Sequence, residues 1–191
     1  MDAIQVLLNR VSVGKLKDPA PSEAQRNTMF RAALRAADHG CLKPWRFLTI
    51  EGEAMDQLGS LFLKAAQTLD PDLSEAQSSK YLNMPKRAPL IVVAIARNID
   101  HPKVPPLEQE MATAAAVQNM ITAAFAQGVG AYWRTGPLAE NPIVKEGLGL
   151  STEETLVGFI YLGTPAITPK TAPTSDIENF FKPWQGSYCQ G

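Results

Sequence analysis

The chain has 191 residues, 45% of them hydrophobic, and its 18 Lys and Arg nearly balance 19 Asp and Glu for a formal net charge of −1. One globular domain over residues 1–191, with a buried core, fits that length and composition. With no basic block in the sequence, a nucleic-acid surface built on charge is excluded, and two distant cysteines, Cys41 and Cys189, exclude a disulfide scaffold.

The stretch "DAIQVLLNR" has apolar residues at helical spacing and predicts a short helix. Its acid at position 2 and its brief apolar run, Val6 to Leu8, do not read as a secretory signal. A loop or short extended segment, "VSVGKLKDPAPS", follows. Ser22 and Gln25 make the Ser-x-x-Gln capping box of a helix that ends near Ala37. "FLTIEG" predicts a strand, residues 53–68 a helix with Leu58, Leu61, Phe62 and Ala65 on one face, and "DPDLSEAQSSKYLNM" a turn and short helix stopped by Pro85.

"PLIVVAIAR" is apolar and β-branched throughout, which predicts a strand buried on both faces. The apolar run it contains is far short of the roughly 20 residues that cross a bilayer, so a soluble, cytoplasmic protein without a membrane partner is the expectation. After the proline-stiffened loop "NIDHPKVPP" comes "LEQEMATAAAVQNMITAAFAQG", almost free of charge beyond Glu110. A helix apolar all round is buried in the core or against a second subunit, and Gly128 closes it. "VGAYWR" and "ETLVGFIYLG" predict strands, separated by a small helix in "ENPIVKEGLG" with Pro142 in its first turn. The tail from Thr164 to Gly191 is Pro-rich and aperiodic, yet "IENFFKPW" is too aromatic to stand alone in water. Helix outweighs strand without a regular alternation, so the fold class is α+β: a sandwich with a small mixed or antiparallel sheet of about four or five strands under helices.

Common catalytic motifs are missing. The Gly-x-Gly of "GVGAYW" leads from helix to strand, the reverse of a dinucleotide-binding turn. No Ser stands on a Gly-x-Ser-x-Gly turn, and His39 with Cys41 is a lone His-x-Cys, too little for a metal site. What stands out is cations beside hydroxyls. Arg10 and Ser12 at i and i+2 project together from an extended segment, with Lys15 close behind. Arg134 stands beside Thr135 at a strand end, and Arg35 sits one helical turn before His39. Such sets hold a phosphorylated, planar ligand; the alternative for each is an Arg satisfying helix-end carbonyls. The connection "AADHGCLKPWRF" is also richer in Asp, His, Cys, Lys and Trp than a helix-to-strand link requires.

In order and spacing, "NRVSVGKL", "RAALRAADHGCLKPWRFLTIEG", "APLIVVAIA", "VPPLEQEMATAAAVQNMITAAFAQGVGAYWRTG" and "VGFIYLGTP" resemble the nitroreductase family of FMN-dependent oxidoreductases, in its small YdjA-like branch. The resemblance runs to about Pro165, and the "HxxxxPW", "EQEM" and "WRTG" pieces are its most specific parts. It implies a nitroreductase-like sandwich in an interlocked homodimer, with FMN at the subunit interface and residues 164–191 packed on the partner. It implies ping-pong chemistry, in which NADH or NADPH reduces FMN and a small-molecule acceptor, a nitroaromatic or a quinone, reoxidises it through flavin N5.

By position, the resemblance assigns Arg10, Val11 and Ser12 to the FMN phosphate and ribityl end, and Lys15 to the pyrimidine edge. Arg35 and His39 would contact FMN across the interface, and Trp133, Arg134 and Thr135 form a third FMN segment. Ala123, Ala124, Phe125, Ala126, Gln127 and Gly128 match a segment for the nicotinamide nucleotide. Pro44 and Trp45 would fix the loop against the flavin or the partner, or serve as a packing anchor. No protein side chain is implied as acid or base, because the flavin carries the reaction, and no metal is implied. Two departures stand out: Val11 replaces the second Arg of the opening, and Lys43 replaces a usual Gln. The same fold also supports dehydrogenase- and dehalogenase-type flavin enzymes and non-catalytic relatives.

Overall fold

The computed structural model describes residues 2–184 and residue 186. Cys189 and the end of the tail lie outside the described residues. A five-stranded sheet is built around β5 (Glu154–Pro165), the longest strand. It pairs with β3 (Leu90–Arg97), β4 (Gly130–Arg134) and the two-residue β1 (Leu16–Lys17), and β2 (Trp45–Ile50) pairs with β3. Every pairing is antiparallel, so the sheet is not mixed.

The apolar run of β3 explains the layering. Leu90, Val92 and Ala94 face one cluster with α2 (Glu23–Ala33) and α5 (Pro106–Ala126), contributing alongside Met29, Ala116, Val117 and Met120. Ile91, Val93 and Ile95 face a second cluster with α3 (Ala54–Leu69), including Leu58 and Phe62. Helices cover both faces, and every residue from Leu90 to Ala96 is fully buried. Burial of that much branched aliphatic surface is the main driving force for this sandwich.

Local signals set most helix ends. Asp2 caps α1 (Ala3–Asn9), accepting from the Gln5 amide. Both bonds of the Ser22–Gln25 capping box form, and an identical box, Ser74–Gln77, opens α4 (Glu75–Asn83). Pro137 and Pro142 begin the short helices α6 (Pro137–Glu140) and α7 (Pro142–Gly147). Gly128, at φ 74°, turns the chain out of α5.

Two boundaries differ from the sequence pattern. Helix α2 ends at Ala33, not near Ala37, because its end tightens into three-residue bonds from Arg35 N to Ala32 O and Ala36 N to Ala33 O. Strand β2 starts at Trp45, so Trp45 and Arg46 belong to the sheet, not the loop. Apolar surface is left exposed along Ile4, Leu7 and Leu8 of α1, Leu107 and Met111 of α5, and Phe180, Phe181 and Trp184 of the tail. No described helix is long and apolar enough to cross a membrane.

Candidate functional site

The segment after α1 is tethered to β4. Arg10 caps α1 in an extended conformation. Val13 N donates to Ala131 O at 2.9 Å, and Lys15 O accepts from Ala166 N at 2.9 Å. Gly14 lies flat on the Tyr132 ring, where an added Cβ would come within 3.2 Å of two ring carbons. Val13 is buried, Arg10 and Val11 are half-buried, and Ser12 and Lys15 are exposed. The backbone is thus held while the hydroxyl and ammonium stay available.

The end of β4 lies beside this segment. Trp133 Nε1 donates to Val157 O at 3.2 Å, and its indole crosses Gly158. The next residue, Arg134, faces the opposite side of the strand. Its guanidinium carbon sits 4.4 Å from the centre of the Tyr132 ring and 5.3 Å from that of Tyr161, a cation held over two π faces. Arg134 Nε is buried and has no hydrogen-bond partner among the described residues. Burial pushes the Tyr161 phenol up to about 12, although the Arg134 and Arg87 cations pull it the other way. Tyr161 therefore stays neutral and serves as a ring. Arg134 and Thr135 open on a cavity of about 280 Å³ whose walls include Phe62, Tyr81, Met84 and Tyr161. Through Tyr132, the structure brings the 10–15 segment and the 133–135 segment together.

The 38–44 connection is shaped differently from the sequence expectation. Arg35 lies in the turn beyond α2 and His39 begins a separate 3-10 turn, His39–Cys41, so the two are not stacked one helical turn apart. The His39 ring pairs instead with Glu108 in the first turn of α5, with Nδ1 2.6 Å from Oε2. Asp38 accepts from Lys43 N at 2.6 Å. The loop then holds Gly40, Cys41 and Lys43 at φ of 75°, 54° and 49°; two non-glycine residues in the left-handed region store backbone strain. Pro44 O takes bonds from Thr113 Oγ1 and Arg97 N. Trp45 is 8% exposed and belongs to the α2–α5 core, so it is a packing anchor.

Residues 123–128 form the last turn and cap of α5. Ala124 is fully buried and offers no side chain to a ligand. Ala123, Phe125 and Gln127 are half-buried, and Ala126 and Gly128 are exposed. Gln127 exchanges side chain-to-backbone bonds with Gln25 at the start of α2. Glu108, Tyr132 and Tyr161 escaped the sequence reading. Glu108 lay within the "EQEM" piece, but its pairing with His39 bridges 69 positions and has no local signature.

Among the described residues, Arg26, His39, Arg46, Lys86 and Lys145 each pair with a carboxylate. Arg10, Lys15, Arg35 and Arg134 are not in that set. A larger concavity of about 540 Å³ beside β2, α3 and α7 is mainly aliphatic, with Lys64 as its one charged group. The model of the family described as "Nitroreductase family" matches residues 7–164, most of the chain.

This chain belongs to the nitroreductase family. "Putative NAD(P)H nitroreductase YdjA" of Escherichia coli (strain K12) is 41% identical over 172 residues, covering 90% of this chain and 93% of that protein. The fold is that of the nitroreductase-like protein from Bacillus cereus, at a TM-score of 0.82 and 24% identity, with 97% of each chain covered. A mutant form of the FMN and NADPH-dependent nitroreductase NfnB, from a Sphingopyxis strain, superimposes with a TM-score of 0.75 at 16% identity, covering 98% of this chain and 100% of that one. The "WRTG" piece runs from the end of β4 into the residues after it, and "RVS" lies in the segment tethered to β4.

Proposed function

We propose that this nitroreductase-family chain is an FMN-dependent NAD(P)H oxidoreductase that acts as a homodimer on nitroaromatic, quinone or related acceptors. One observation carries the reading: Arg134, a cation with an orphaned buried Nε, opens on an aromatic-walled cavity, and its strand is tied through Val13 and Gly14 to the segment that carries Arg10 and Ser12. A buried donor without a partner calls for an acceptor, and a planar, anionic cofactor supplies one. The donor set fits FMN: a guanidinium and a hydroxyl for its phosphate, aromatic walls for its ring, and no carboxylate among residues 10–15 to repel it.

When bound, FMN supplies two-electron transfer between a nicotinamide and an acceptor. The protein's part is binding and orientation. Arg10 and Ser12 hold the phosphate and ribityl end, and backbone tethers at Val13 and Lys15 fix their position. Arg134 and Thr135 frame the ring, and Trp133, on the other side of β4, holds their strand against β5. Arg35 and His39 approach from the partner's copy, with Glu108 fixing the His39 ring. The α5 end, residues 123–128, borders the nicotinamide nucleotide. The exposed apolar residues of α1, α5 and the tail form the dimer contact.

The deciding experiment is to purify the protein without added flavin, record its visible spectrum and identify the released chromophore. Oxidation of NADH and NADPH is then followed with a nitroaromatic and with a quinone. A yellow dimer releasing about one FMN per chain and turning over either acceptor supports the reading. A colourless protein that takes up no added FMN overturns it.

A further inference from the structure

Resting on the flavin reading above, we infer that Arg134 meets the pyrimidine edge of the flavin ring, its N1–C2=O side, and not the phosphate. The sequence resemblance gave that edge to Lys15 and placed Arg134 in the third FMN segment without naming the part of the cofactor it meets. The structure distinguishes the two by their surroundings.

Lys15 is exposed. An exposed ammonium is strongly hydrated and free to rotate, so its charge is screened. Arg134 is held over Tyr132 and Tyr161 at 4.4 and 5.3 Å, with Nε already out of water. Arg134 as a whole is half-buried, and a fixed, partly desolvated cation acts more strongly on a nearby charge than a freely hydrated one.

The cavity beside Arg134 also has the wrong lining for a phosphate. Its walls are Phe62, Tyr81, Met84, Leu138, Phe159 and Tyr161, and Thr135 brings one aliphatic hydroxyl. A phosphate carries close to two charges and seeks several donors at once, so an apolar wall penalises it. A heterocycle edge suits this lining. Its body is planar and apolar, and its two adjacent acceptors, N1 and O2, match the fork of a guanidinium. With the ring so placed, Arg134 would stabilise the negative charge that a flavin carries on that edge once it is reduced. Arg10, half-buried at the mouth of the tethered segment, is left with the phosphate.

Riboflavin, which lacks the phosphate, separates the roles. The dissociation constants of FMN and riboflavin are measured for wild type, Arg134→Gln, Arg134→Lys and Arg10→Ala, together with the midpoint potential of the bound flavin. The expected pattern is that Arg134→Gln weakens both ligands by a similar factor, about 10- to 100-fold, and lowers the potential. Arg134→Lys keeps a charge but loses the fork, so it restores most of the potential and little of the affinity. Arg10→Ala weakens FMN and leaves riboflavin unchanged. Should Arg134→Gln not fold, Arg134→Lys decides by whether it weakens both ligands in parallel. Loss of FMN affinity alone at Arg134 would assign it to the phosphate and overturn the inference, as would no change in either ligand. Wild-type protein that binds neither ligand would instead overturn the flavin reading itself.

Discussion

Trp133 lies across Gly158 so closely that a methyl group on the glycine would stand 2.3 Å from the indole nitrogen and 2.7 Å from Arg134 O. Gly158 also has φ 149°, in a region that side chains avoid, and it sits opposite Ala94, where the β3–β5 register shifts. The glycine therefore lets the Trp133–Arg134 segment press flat on β5. Gly158→Ala is expected to cost about 3 kcal/mol from clash and backbone strain together, and to weaken FMN binding by displacing Arg134. Thermal unfolding of Gly158→Ala, Trp133→Leu and the double variant checks this. A double variant no more stable than the additive sum would rule out the contact as the cause.

Arg46 and Glu154 form a two-pronged ion pair, with bonds of 2.6 and 2.7 Å from Nε and Nη2. The side chains are 27% and 11% exposed, too enclosed to be an ordinary surface pair. The Arg46 bonds hold the Glu154 carboxyl below its usual 4.5. The folded value is thus lower than the unfolded one, and the stabilisation is complete above about pH 4.5 and fades as the pH falls through the folded value. Glu154→Gln should cost about 1–3 kcal/mol at pH 7, with the gap to wild type closing in acid. Urea midpoints from pH 7 to pH 3 give the comparison. A gap that stays constant would show that the charge is not what matters.

Arg10 makes no ion pair among the described residues and is only half-buried. Arg10→Ala should leave folding within about 0.5 kcal/mol of wild type and yield protein without bound FMN. The check is the visible absorbance of purified protein beside its melting temperature. Full flavin occupancy in this variant would remove Arg10 from the site.

The His39–Glu108 pair is short, at 2.6 Å, but both side chains are well exposed, at 58% and 43%. Its worth in folding should be under about 1 kcal/mol. Its expected effect is on the cofactor: Glu108→Gln lets the ring rotate and speeds FMN dissociation several-fold at unchanged stability. Stopped-flow release of FMN measures the rate. If only stability falls, the pair is structural.

Phe180, Phe181 and Trp184 are 74%, 78% and 84% exposed on a single chain. In a monomer, Phe181→Asp would cost nothing. In a dimer whose tail clasps the partner, it should shift sedimentation from twice the chain mass towards one. Wild-type protein that sediments as a monomer would refute the clasp.

Much of this protein is legible in its sequence, because the governing forces there are local or periodic. The β-branched run of β3 announces a strand buried on both faces. Ser22 with Gln25 announces a helix start, and the "RVS" and "WRTG" pieces mark the two segments that meet through Tyr132. Sequence does not give what depends on residues distant in the chain or on the detail of a helix end. Helix α2 stops at Ala33, short of the predicted Ala37, because three-residue bonds, not composition, decide where it ends. Trp45 becomes a core anchor only once β2 pairs with β3 beneath α5. The direction of Arg134 is invisible in a list of residues. It follows from strand alternation at β4 and from Tyr161, brought beside Tyr132 by the antiparallel pairing of β4 with β5. Composition and pattern fix which surfaces must be buried; only tertiary packing decides which polar atoms, such as Arg134 Nε, are buried without a partner.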